Sequence, residues 1–78
     1  MNNAIEKNLG EQPIGKIMTE HGLKPHDIVH VSTEQITHKM IGRAISGRRL
    51  TLKVQYKILN ALNKAAQRNY LLKDLFSY

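Results

Sequence analysis

The 78-residue chain contains no cysteine, which excludes disulfides and thiolate metal sites and leaves nothing that argues for an oxidising compartment. It also lacks any apolar run approaching the roughly 20 residues that span a bilayer, and its opening MNNAIEKNLGEQ is too polar for a signal peptide. These absences predict a soluble, cytoplasmic protein with no membrane partner. No spacing of Ser, His and Asp suggests a nucleophilic triad, and no glycine-rich loop follows a strand pattern. A chain this short hides only about 60% of the surface its unfolded form exposes, so a pocket of several hundred cubic ångströms is hard to house. The sequence therefore reads as a single small domain that is not an enzyme and uses no cofactor.

A further shortage is local. Residues 1 to 34 carry Lys7, Lys16 and Lys24 against Glu6, Glu11, Glu20, Asp27 and Glu34, whereas from Gln35 to Lys73 there are nine basic residues and no acid. One-sided charge of this kind suits a polyanion, although a cationic run alone is as readily a solvated surface. Aromatic residues are also few, at 5%. An RNA surface usually displays stacking rings, and the basic stretch offers only Tyr56 and Tyr70, of which Tyr70 is expected in the core.

What the chain does have is helical spacing. Residues 1 to 12 are rich in Asn, Gln, Glu and Lys and are expected to form a tail, with the folded domain running from 13 to 78. Ile14, Ile17 and Met18 follow the i, i+3, i+4 rule, with Gly22 placed to end that helix in a left-handed conformation. Pro25 suits a first helical position and Asp27 a first turn, which starts a second short helix over LKPHDIVHV. Ser32 with Gln35 resembles a capping box, but Thr37 is the better start for a third helix, with Ile36 packing before it. Ile41, Ala44 and Ile45 give that helix its core face, and Gly47 ends it. Thr51 caps a fourth helix that keeps its apolar spacing through about Arg68, with Asn69 to close it, and YLLKDLF supplies a last short one. The expected fold is all-α, with five helices.

The stretch THKMIGRAISGRRLT poses a question, because Gly42 lies inside a helix where it costs about 1 kcal/mol relative to alanine. The surrounding pattern resembles that of the lambda-repressor-like helix-turn-helix family, the XRE or Cro type. GRRLTLKVQYKILNAL (47 to 62) is similar to the family's run of glycine, basic residues, cap and apolar-spaced helix, YLLKDLF (70 to 76) to its LDELF-like close, and IGKIMTEHGL (14 to 23) to its first helix. The segment from Leu23 to Gly47 and the fourth helix are both longer than usual, and Pro25 stands where the family has a polar residue.

The resemblance implies a compact lambda-repressor-like domain in which helix 3 enters the DNA major groove. His38, Lys39, Gly42 and Arg43 would then face base edges, with Arg43 the best candidate to donate a bidentate pair to guanine. Gly42 would let the backbone approach DNA, or else helix 2. Arg48, Arg49, Thr51 and Lys53 would meet phosphates, Thr51 together with the free amides that open helix 4. His26 and His30, four apart, share a helix face, but no third histidine or carboxylate at a usual spacing completes a metal site. The expected partner is double-stranded DNA, bound by a small transcriptional regulator of bacterial or phage type. A homodimer through the extended fourth helix and the tail with Leu75, Phe76 and Tyr78 is open, and so is a second function class, a protein-interaction adaptor (antitoxin-like or bridging) that uses the aromatic C-terminus as its contact surface.

Overall fold

A computed structural model describes residues 9–78. Among them are five α-helices and no strand: α1 (Pro13–Glu20), α2 (Pro25–Val31), α3 (His38–Ser46), α4 (Leu52–Ala66) and α5 (Leu72–Leu75). The boundaries follow from local chemistry. Pro13 and Pro25 open their helices, where the missing N–H is no loss. Asp27 does more than favour the dipole, since its Oδ2 accepts the Lys24 N–H at 2.8 Å. Gly22, at φ 67°, carries the chain out of α1. Ser32 is spent on a turn, its hydroxyl donating to the Glu34 carbonyl at 2.7 Å and accepting the Glu34 N–H at 3.0 Å. Thr37 is thus the cap of α3, its Oγ1 accepting the Met40 N–H at 3.1 Å. Thr51 does the same for α4 by accepting from Val54.

The core is one cluster. Ile14 and Met18 of α1, Ile28 of α2, Ile41 and Ala44 of α3, Ile58, Leu59, Ala61 and Leu62 of α4, and Leu75 and Phe76 at the end meet there, with Ile36 before α3 closing one side. α4 is the floor against which α2 and α5 lie, while α1 spans α3 and α5. Where α1 crosses α3, a Cβ on Gly15 would stand 3.0 Å from the Ile45 methyl, so that glycine sets how closely the two helices approach.

Two expectations need correction. α4 ends at Ala66, short of Arg68, and the closing residue is Gln67 at φ 56° in place of Asn69. The reason is Asn63, whose carbonyl receives the Arg68 N–H at 3.1 Å and whose side chain accepts the Tyr70 N–H at 2.8 Å and donates to the Tyr70 carbonyl at 3.1 Å. That clamp turns the chain before another helical turn can form.

The second concerns the tail expected over residues 1 to 12, of which 1 to 8 lie outside the described residues. Residues 9 to 12 run along the end of α3, with Leu9 N–H donating to Gly47 and Gln12 N–H to Ile45 at 2.8 and 3.0 Å. The Gln12 side chain is buried, its amide donating to the Gly10 carbonyl at 2.8 Å and its oxygen accepting from Ser77 N and Oγ at 2.6 and 2.9 Å. A polar side chain tolerates burial because both ends are satisfied.

Candidate nucleic-acid interface

α3 is amphipathic in a way that fixes which residues look outward. At 3.6 residues per turn, burying Ile41 and Ala44 leaves His38, Lys39, Gly42, Arg43 and Ser46 on one arc of about 140°. All five are exposed. The sequence points to the first four; Ser46 belongs to the same face and is legible only once the helix phase is known. Its hydroxyl donates to the Arg43 carbonyl at 3.2 Å.

Gly42 is open to solvent, and a Cβ built there would meet nothing within 4 Å. The expectation that it allows a close approach of helix 2 is therefore not met, because no neighbouring element needs the space. Gly47 is the opposite case. It sits at φ 94°, and a Cβ there would collide with the backbone of Gly10. The turn after α3 is thus held in place by both its own conformation and the lead-in segment.

Arg48, Arg49, Thr51 and Lys53 follow on that turn and the first residues of α4, and all are exposed. Their backbone is organised from the far end of the chain. Tyr78 accepts the Leu50 N–H at 3.3 Å and donates to the Arg48 carbonyl at 3.4 Å, and its ring lies 5.7 Å from the Arg49 guanidinium carbon. Burial pushes the Tyr78 phenol above its ordinary value, against the opposing pull of the Leu50 N–H and Arg49. It therefore stays protonated at neutral pH and keeps its donor. The sequence marks Tyr78 only as an aromatic near the end, and its role in seating Arg49 comes from the fold.

That placement also changes the surface expected for self-association or an adaptor. Leu75 and Phe76 are buried, and Tyr78 is engaged with residues 48 to 50, so the aromatic C-terminus is an internal contact. Among the described residues, the large exposed apolar side chains are Leu52 and Tyr56 on α4, 60% and 49% accessible, together with Leu71 and Leu9.

The histidines are arranged differently from a helical pair. The His26 ring stacks with His30 at 6.0 Å and with His38 of α3 at 5.8 Å, each at an interplanar angle of 23°. Among the described residues no group of three or more His, Cys, Asp or Glu is placed to hold a metal. His21 stands apart, bonded to the Tyr70 hydroxyl at 2.9 Å.

The fold also has more room than its length suggests. An open groove of about 800 Å³ runs beside α1, lined by Pro13, Met18, Leu23 and Ile45 with Lys16 and Lys24 at its edge. None of the base-facing or phosphate-facing candidates lines it. No helix of the described residues is long and apolar enough to cross a membrane. Comparison with known proteins finds no family model, no curated protein and no solved structure that matches the chain.

Proposed function

We propose that this protein is a sequence-specific binder of double-stranded DNA, a small cytoplasmic transcriptional regulator that inserts α3 in the major groove as a helix-turn-helix of the lambda-repressor-like type. The observation that carries the reading is the composition of the exposed residues of α3 and of the turn that follows it. His38, Lys39, Gly42 and Arg43 on α3 lead into Arg48, Arg49, Thr51 and Lys53, with no acid among them. A major groove about 12 Å wide admits a helix, and an arginine on its outward face can donate to guanine O6 and N7 together. Cations in the following turn supply affinity and register without reading sequence. Gly42 has a use on this reading, since an open, side-chain-free patch between Lys39 and Arg43 lets the helix backbone come close to the bases.

The division of labour is testable by substitution. Arg43→Ala should cost about 1 to 3 kcal/mol on a preferred site and relax its sequence, whereas Arg48→Ala should weaken all DNA alike and lower the salt slope by about one. Equal effects of the two on preferred and random DNA would overturn the assignment of reading to α3 and positioning to the turn.

A second reading, as a protein-interaction adaptor, is favoured by Leu52 and Tyr56, an exposed apolar pair four residues apart on α4. Stoichiometric binding to a protein that Tyr56→Glu abolishes, in a chain indifferent to DNA, would support it in place of the first. A homodimer on DNA would use this same face, because Leu75 and Phe76 are buried.

A further inference from the structure

Four histidines are present in 78 residues, and three of them meet where α2 faces the start of α3. His26 is the shared neighbour, 6.0 Å from His30 and 5.8 Å from His38, and all three side chains are exposed. Nothing in the core needs them there. Imidazole is the side chain whose charge ordinarily changes between about pH 5 and 8, so three of them gathered at one exposed corner concentrate groups able to take up a proton there.

The surroundings determine what those charges would do. α2 packs on α3 and α4. The charged or titratable groups on these elements and in the connecting turn are Asp27, Glu34, Lys39, Arg43, Lys53, Tyr56, Lys57 and Lys64. Asp27 is committed to the Lys24 N–H, and the rest are mostly cations. Imidazolium rings at His30 and His38, each about 6 Å from the His26 ring, would each repel a charged His26, and His38, the first residue of α3, sits where the helix dipole disfavours a cation. An external polyanion removes both penalties at once.

We infer that His26, His30 and His38 together form a phosphate-contacting surface that engages the DNA backbone when its imidazoles are protonated, so that DNA binding takes up protons. The inference rests on the DNA-binding reading above; it adds His26 and His30, which lie outside the base-facing and phosphate-facing sets, and assigns His38, so far among the base-facing residues, to the backbone instead. The sign is fixed: affinity rises as pH falls through the histidine range, and each imidazolium that meets a phosphate adds a released counterion.

The test is a titration of a fixed DNA duplex at about pH 8 and about pH 6, across a range of salt. The expected result is binding roughly ten-fold tighter at the lower pH, with the log affinity against log salt slope steeper by about 0.9 for each phosphate met. The pair His26→Gln with His30→Gln should lose most of the pH response, and His26→Lys with His30→Lys should give the steep slope at both pH values. His21→Gln, at the unrelated Tyr70 contact, should leave the pH response in place. DNA bound equally at both pH values, or a response that survives the glutamine pair, would overturn this inference and leave the DNA-binding reading standing. No DNA binding at either pH would overturn both.

Discussion

The two sides of α3 use polar chemistry in opposite ways. On the side of α1 and the chain ends, polar groups are turned inward and satisfied: Gln12 alone joins Gly10 to Ser77, and Gly47 fits against Gly10 with no space for a Cβ. On the outward face of α3 and in the side chains of the Arg48 turn, His38, Lys39, Arg43 and Arg48 project into solvent, and Gly42 has nothing within 4 Å of where its Cβ would be. A small domain with little core to spare thus holds one face rigid with buried hydrogen bonds and leaves the other open for a ligand. Two glycines in one nine-residue helix and its cap show the difference most sharply, since one is required by the fold and the other is not.

The largest effect should come from Gly47→Ala. It combines a left-handed backbone position with a collision against the Gly10 backbone, and should cost roughly 3 kcal/mol or more in chemical denaturation. A loss below about 1 kcal/mol would mean that residues 9 and 10 do not hold the turn. Gln12→Leu should come next, at about 1 to 3 kcal/mol, because Ser77 and the Gly10 carbonyl lose their partner. On the open face, Arg43→Ala should leave stability within about 0.5 kcal/mol of the parent and cost about 1 to 3 kcal/mol in binding a preferred DNA site. Smallest is Gly42→Ala, which should raise helix stability by up to about 1 kcal/mol. Its DNA affinity should fall all the same. A stabilised variant with undiminished affinity would remove the close backbone approach from the account.

Local signals carried most of the fold. Gly22, Thr37 and Thr51 each act through neighbours within a few residues, and their caps and turn, like the left-handed turn at Gly47, stand where the residue types predict them. What was hidden depends on contacts distant in sequence. Gln12 reads as part of a polar lead-in because its partner Ser77 is 65 positions away. The end of α4 at Ala66 is not visible in the sequence because Asn63 spends its side chain on Tyr70, and nothing in the sequence marks Gln67 to adopt φ 56°.

The candidate site divides along the same line. The outward face of α3 follows from helical period and apolar spacing, so His38, Lys39, Gly42 and Arg43 were legible as a set. Tyr78 beneath Arg49 was not, nor was His38 beside His26, since each requires two segments to be brought together by packing.

The most direct test of the central claim, that α3 reads sequence while the Arg48 turn supplies position, is selection of the purified protein against a random duplex library at near-physiological salt. The expected result is an enriched motif that Arg43→Ala loses or degenerates and that Arg48→Ala retains at weaker affinity. A palindrome with half-sites one helical turn apart would add a dimer. Motif-free binding that vanishes with salt would contradict the claim and reduce the basic strip to a general polyanion surface.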